Sequence, residues 1–283
     1  MEEVKIMLDQ KLAKLKENLK ALGKVAVAFS GGVDSTFLLK VCIYELGSDN
    51  VLALTARSQA ITEQEYQEAQ ALARLFGASQ ILVETGELDD PNIVENPPER
   101  CYYCKKQIFG RFLAIAREKG YNFVLEGTNF SDTDDFRPGM KAINELGVLS
   151  PLKDAGLTKD EIRQLSKEMG LPTWNKPSYA CLFSRFPYGE KITSEKLKRV
   201  AQAEAILRQQ GFYQFRVRSH GDLARIEVLP KEIDKFFDEA FRNKIIQEFK
   251  AIGFIYVTLD LAGYRSGSMN ELLKEEDMAI WKN

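Results

Sequence analysis

Residues 24–36 read KVAVAFSGGVDST. The first six are a short apolar run of the kind a buried parallel strand shows, and STFLLKVCIYEL at 35–46 follows as a helix. Between them, two glycines permit positive φ and let backbone N–H groups approach an anion. The amino terminus of the helix adds partial positive charge, and Ser30 and Ser35 offer hydroxyl donors to phosphate oxygens. GxxxxGK[ST] is absent and no lysine follows the glycines, so this is not a Walker A loop. A glycine turn in any α/β fold would account for Gly31 and Gly32. It would not account for Ser-Gly-Gly-x-Asp-Ser at a strand-to-helix junction.

Outward from this junction the chain keeps alternating. VLALTA (51–56), QILVET (80–85) and FVLEG (123–127) read as strands. TEQEYQEAQALARLFG (62–77) reads as a helix with a Thr62–Glu65 capping box, and LTKDEIRQLSKEMGLP (157–172) repeats the signature with Thr158 and Glu161. A further helix runs from about Lys105 to Lys119, and the amino-terminal segment is amphipathic, with Val4, Met7, Leu8, Leu12, Leu15 and Leu19 at helical spacing. Strands separated by helices indicate an α/β fold with a doubly wound parallel sheet, whose ligands lie beyond the carboxyl ends of the strands. After 185 the character changes. A helix (194–210), the strands QFRVR and ARIEVL around SHGDL, a helix across about 231–252 and the strand FIYVTLDL (254–261) make a smaller α+β domain. The expected division is therefore 1–185 and 186–283. In the hairpin Phe215 and Val217 share one face, and Arg216, Arg218 and Arg225 fall on the other, either as an anion-binding platform or as a solvated face with Glu227 as ion-pair partner.

The 283 residues are 45% hydrophobic and 28% charged, with a formal charge of −2, which argues against a broad nucleic-acid surface. No uninterrupted apolar run spans a membrane, and the amino terminus lacks the apolar core of a secretory signal. A cytoplasmic, reducing compartment follows as the expectation. There, the CxxC of NPPERCYYCKKQ (96–107) favours metal-binding or catalytic use over a structural disulfide. Such a pair serves as a redox couple, half a zinc site, or two ligands of an iron–sulfur cluster. The chain has four cysteines and one histidine, so a closed zinc site would need Cys42 or His220. Cys42 lies with Leu38, Val41 and Leu46 on the apolar side of its helix and reads as core. Cys181, in WNKPSYACLFSRFPYG (174–189), has no periodic apolar surroundings. His220 falls in a hairpin turn and receives no role.

EGTNFSDTDDFRPGMKA (126–142) begins at the end of the fourth strand and carries Asp132, Asp134, Asp135 and Arg137. Each carboxylate alone is as well explained by a solvated turn. The cluster as a whole suits a site handling magnesium and nucleotide.

SGGVDS after an apolar strand resembles the PP-loop of the ATP pyrophosphatases, the group of NAD synthetases, GMP synthetases and tRNA-thiolating enzymes. These adenylylate a substrate oxygen, release pyrophosphate, and let a nucleophile displace AMP. Together with EGTNFSDTDDFRPG, SPLKDAGLTKDEIR, KPSYACLFSRFPYG, RVRSHGDLARIEV and GYRSGSMNE, it resembles the LarE family of sulfur transferases over about residues 20–271. The resemblance implies adenylylation of pyridinium-3,5-dicarboxylate mononucleotide and its conversion to thiocarboxylates, toward the nickel-pincer nucleotide of lactate racemase. It places ATP and magnesium on Ser30, Gly31, Gly32, Asp34, Ser35, Gly127, Asn129, Asp135 and Arg137. One branch of the family sacrifices the sulfur of the cysteine matched by Cys181. Another adds a CxxC, and this chain resembles the latter, with Cys101, Cys104 and Cys181 as ligands of a 4Fe-4S cluster. The implied partners are the small-molecule mononucleotide, a sulfur donor (sulfide or a desulfurase) and further copies in a homo-oligomer, with no stable nucleic acid and no membrane. Arg185, Arg216, Arg218, Arg225 and Arg265 are the expected anion-binding groups for the substrate, and Asp34, Cys101, Cys104 and Cys181 the catalytic ones. The rivals are sacrificial use of Cys181, a tRNA-thiolating PP-loop enzyme, and a non-catalytic nucleotide-binding or metal-sensing protein.

Overall fold

The computed structural model describes residues 2–132, 138–178 and 180–273. In chain order these form α1 (Glu2–Leu22), β1 (Val25–Ala28), α2 (Val33–Leu46), β2 (Val51–Arg57), α3 (Glu63–Leu75), β3 (Ser79–Glu84), α4 (Pro91–Val94), α5 (Arg100–Glu118) and β4 (Phe123–Leu125). Then come α6 (Pro138–Glu145), α7 (Pro151–Asp154), α8 (Lys159–Glu168), α9 (Ser194–Gln209), β5 (Phe215–His220), β6 (Leu223–Val228), α10 (Glu239–Ala251) and β7 (Tyr256–Leu259). No helix among the described residues is long and apolar enough to cross a membrane.

Two compact units emerge. The first comprises the chain up to Thr85 together with Cys101–Ser178. Its sheet is wholly parallel, in the order β3-β2-β1-β4. β1 alternates its side chains between two cores, as a strand covered on both faces must. Val25 and Val27 pack with Leu15, Leu19, Phe37, Leu38 and Ile162. Ala26 packs on the other side with Leu52, Leu54, Phe109, Phe112 and Ile143. Each fully buried Leu or Phe here contributes about 1.5–3 kcal/mol relative to exposure. α1 supplies Leu8, Leu15 and Leu19 to the interior, whereas Met7 of the same expected stripe faces solvent. Both expected capping boxes are formed: Thr62 accepts from Glu65 N, and Thr158 from Glu161 N.

The second unit combines Gly86–Arg100 with the chain after Ser178. Its sheet has the order β5-β6-β7, antiparallel then parallel. A single cut at 185/186 does not describe this partition. Segment 86–100 joins the later residues because its backbone and side chains bond there: Ile192 N donates to Val94 O and Gly189 N to Asn96 O.

Other expectations shift locally. α5 begins at Arg100 rather than Lys105, so the CxxC lies on the helix instead of ahead of it. Arg100 N already donates to Pro97 O, and Pro97–Pro98 mark where the helix can begin. The expected helix across 231–252 is a 3-10 turn over Pro230–Phe237 followed by α10, because Asp238 caps a new start by accepting from Phe241 N at 2.7 Å.

Candidate active site

β1 and β4 are neighbours, but the chain leaves β1 through β2 and β3 on one side and returns to place β4 on the other. That reversal opens a crevice at the carboxyl ends of β1 and β4, where open α/β sheets bind ligands. SGGVDS leaves β1 at this point and EGTN leaves β4.

The loop is built for close backbone approach. Gly31 adopts φ +70°, and a Cβ there would lie 3.0 Å from Ala69 Cα. Ser30 N donates to Ser35 Oγ at 3.3 Å, and Ser35 Oγ donates to Gly32 O at 3.3 Å, folding the turn onto itself. α2 is capped by Gly32, which brings no side-chain acceptor, so first-turn N–H groups are left to an incoming anion. Lys176 donates to Gly31 O at 3.0 Å and pairs with Glu68 at 2.8 Å, holding the loop from α3's side.

From β4, Gly127 lies against the start of α2: a Cβ on it would be 3.1 Å from Ser35 N and 3.3 Å from Asp34 Cβ. Asn129 Nδ2 donates to Asp34 Oδ1 at 3.4 Å. Asn129 is itself fixed, since its N–H reaches Asp132 Oδ2 at 3.1 Å and its Oδ1 accepts from Ser131 N at 2.9 Å. Glu126 is buried and accepts from the hydroxyls of Thr128 and Ser150. The ammonium of Lys159, the first residue of α8, donates to Asp34 Oδ2. Burial raises the pKa of Asp34, and the charge and hydrogen bond of Lys159 oppose this without cancelling it. A carboxylate so desolvated gains from a second cation, which is the condition for drawing in magnesium with a nucleotide.

Of the expected nucleotide residues, Ser30, Gly31, Gly32, Asp34, Ser35, Gly127 and Asn129 are thus brought together. Asp134, Asp135 and Arg137 lie outside the described residues. Lys159, Lys176 and Glu126 had no role from sequence reasoning. Their only signal was position: Lys159 directly follows a helix cap, and all three stand inside the quoted motifs.

The cysteines separate by accessibility. Cys42 is fully buried, and its thiol pKa is pushed up by desolvation. Cys101 and Cys104 are half-buried, three residues apart on one face of α5, and Cys181 is exposed. Among the described residues no three His, Cys, Asp or Glu side chains form a group poised to hold a metal ion. Cys101, Cys104 and Cys181 are each open enough to act as thiolate donors, which Cys42 is not.

The second unit corrects the picture of an open arginine platform. Arg216 and Arg218 are buried, as is Glu227. Arg218 makes a fork to Glu227, at 3.1 Å through Nε and 2.9 Å through Nη2, and Arg225 adds a third bond at 3.1 Å. Arg218 and Arg225 are directly opposed across β5 and β6, so Glu227 neutralises what would be a like-charge pair. Arg216 lies over the Tyr264 ring at 5.2 Å, and burial, followed by the charge of Arg185, lowers its pKa to about 10. Arg185 is 1% exposed and forks onto Glu204 at 2.7 and 3.0 Å. Its remaining nitrogen reaches Ala180 O and Cys181 O, so it holds the cysteine's backbone. Arg265 pairs with Glu271 and Asp260. Arg185, Arg218, Arg225 and Arg265 thus make ion pairs within the unit, whereas Arg216 donates to Phe215 O at 2.7 Å and lies against Tyr264.

The amino-terminal residues 2–92 match the NAD synthase family model. Across its length the chain is 42% identical over 274 residues to the pyridinium-3,5-bisthiocarboxylic acid mononucleotide synthase of Lactiplantibacillus plantarum, covering 97% of this chain and 99% of that one. The chain belongs to the LarE family. A further relative, an uncharacterized protein of Synechocystis, is 45% identical over 94% of this chain and 99% of its own length. An uncharacterized protein of Methanocaldococcus jannaschii is 33% identical over 91% of this chain and 98% of its own. The LarE fold thus accounts for the crevice between β1 and β4, and its loop is the PP-loop expected from SGGVDS.

Proposed function

We propose that this chain is an ATP-dependent sulfur transferase acting on pyridinium-3,5-dicarboxylate mononucleotide in nickel-pincer nucleotide biosynthesis. The observation that carries the reading is the combination of a PP-loop crevice holding Asp34, Asn129 and Lys159 with three accessible thiols in a family whose L. plantarum member is named for the bisthiocarboxylic product. In the first step a substrate carboxylate oxygen bonds to the α-phosphorus of ATP and pyrophosphate leaves, giving an acyl-adenylate. The N–H groups at the start of α2, Ser30, Ser35 and Lys159 hold the phosphates and stabilise the leaving charge. Asp34 and Asn129 would hold magnesium there. In the second step a sulfur nucleophile bonds to the acyl carbon, AMP departs with the electrons of the broken C–O bond, and a thiocarboxylate remains.

Cys101, Cys104 and Cys181 would hold a 4Fe-4S cluster. With three protein thiolates one iron is left open, and that position would supply sulfide for transfer. The sulfur would come from sulfide or a desulfurase, in the reducing cytoplasm where such thiols persist, and the enzyme would act as a homo-oligomer.

The test is anaerobic purification, iron and sulfide analysis, and intact mass after turnover with ATP, magnesium and the dicarboxylate nucleotide. About four irons per chain with unchanged protein mass supports the cluster. Iron-free protein that forms product while losing the mass of hydrogen sulfide at Cys181 assigns sacrificial chemistry instead. Failure to release pyrophosphate overturns the enzymatic reading altogether.

A further inference from the structure

We propose that Asn96 and Arg100 are positioning residues for Cys181, clamping the turn that carries its thiol to the segment just ahead of the CxxC. The inference rests on the reading of Cys181 as a sulfur-handling residue.

Cys181 caps a 3-10 turn over Leu182–Arg185, followed by extended backbone at Phe186. No strand pairing or long helix fixes so irregular a stretch, and its carbonyls must find donors elsewhere. They find them in side chains of the same unit. Arg100, 4% exposed, donates through Nη1 to Phe183 O at 2.9 Å and to Asn96 Oδ1 at 2.6 Å. Asn96, fully buried, donates through Nδ2 to Phe186 O at 3.2 Å and Pro187 O at 2.7 Å. Its own carbonyl accepts from Gly189 N at 2.9 Å. Asn96 has φ +53°, and it is the one non-glycine residue with positive φ among those described. Asn tolerates that conformation better than most residues, and here it turns a short amide onto two successive carbonyls.

The clamp meets a second one. Arg185 bonds Ala180 O at 3.0 Å and Cys181 O at 3.3 Å, while Ser184 Oγ reaches Cys181 O at 2.8 Å. The backbone is therefore held on both sides of Cys181 while the residue itself stays exposed. A segment meant only to close a core would bury its cysteine as Cys42 is buried. Arg100 is also joined by one peptide bond to Cys101. The same side chain that bonds Phe183 O thus stands one residue from the first thiol of the CxxC. Within the second unit, Asn96 and Arg100 thus form the supporting shell of the turn that carries Cys181.

The experiment uses the full chain with Arg100→Gln, Arg100→Lys and Asn96→Gly, the last keeping the backbone conformation accessible while removing the amide. Hydrogen exchange read by mass spectrometry should show the amides of 182–186 exchanging about tenfold faster in R100Q and N96G, with β1 and β2 unchanged and R100K intermediate. Thiocarboxylate formation should fall about tenfold in kcat, while KM for ATP stays within about twofold. Unchanged exchange at 182–186 overturns the clamp. Faster exchange with undiminished kcat overturns its positioning role. If wild-type protein forms no thiocarboxylate, the sulfur-transfer reading has failed, and the clamp is then decided by exchange and by native alkylation of Cys181. A change of about fivefold in that alkylation rate supports it, and wild-type rates in both measurements overturn it.

Discussion

The ammonium of Lys159 bonds the carboxylate of Asp34, tying the first residue of α8 to the phosphate loop. Asp34 lies on the loop after β1, so on the proposed reading the lysine is a counter-cation beside the phosphates. Lys159→Met should lower kcat/KM for ATP-dependent pyrophosphate release about 10- to 100-fold. Lys159→Arg should restore little, because a guanidinium fork does not replace a point charge at this reach. Thermal stability should fall by about 1–3 kcal/mol, because a part-buried, desolvated Asp34 loses the cation it is bonded to. Pyrophosphate release at wild-type rates in K159M would remove Lys159 from the site.

Gly31 and Gly127 should fail in different ways. Gly31→Ala places a Cβ 3.0 Å from Ala69 Cα at φ +70°, so stability and ATP binding should fall together, the backbone part alone costing about 1–2 kcal/mol. Gly127→Ala crowds Ser35 N at 3.1 Å without a positive φ. ATP affinity should drop there while the unfolding midpoint barely moves. Calorimetric titration with a nonhydrolysable ATP analogue, beside a denaturant melt, separates the two.

Glu204 provides a pH signature. Burial raises its pKa, but the charge and hydrogen bonds of Arg185, the charge of Arg216 and the N–H of Val217 more than reverse this, so it lies below the ordinary 4.5. A depressed folded pKa means that the stabilisation is complete above 4.5 and is lost as pH falls through the folded value. Glu204→Gln should therefore cost roughly 3–5 kcal/mol at about pH 7, because Arg185 is left buried without its partner. The gap between variant and wild type should narrow below pH 4.5. A gap independent of pH would refute the assignment.

Alkylation of the native apo protein should label Cys181 first, Cys101 and Cys104 more slowly, and Cys42 only on unfolding. Peptide mass mapping at timed intervals reads the order. Early labelling of Cys42 would contradict its place in the core under α2.

Much of this is legible in the residues alone. The PP-loop, the parallel sheet and both capping boxes follow from local chemistry: an apolar strand, glycines where backbone must approach a ligand, and Thr-x-x-Glu ahead of a helix. The arginines are not legible in the same way. A period-two pattern assigns Arg216, Arg218 and Arg225 to one face but cannot say whether that face meets water or Glu227 and Ser268. That depends on Ser268, 50 positions from Arg218 and 41 from Glu227, closing over it. Lys159 escapes sequence reasoning for the same reason. Its partner Asp34 is 125 residues distant, and only the sheet order brings β1 and β4 side by side. The start of α5 escapes it because a proline pair marks a loop and the beginning of a helix alike.

The borrowing of 86–100 by the second unit has a consequence for how the protein is made. As the chain leaves the ribosome, β1, β2 and β3 emerge first, yet β4 must follow before the first sheet is complete, and α8 before its core is. The NPPER segment is synthesised early and then waits 83 to 91 residues for the backbone of 183–187 that its buried Asn96 and Arg100 require. Neither unit corresponds to one continuous stretch of gene. No single cut in the chain separates one from the other, so expressing either alone calls for a rejoined chain rather than a shortened one.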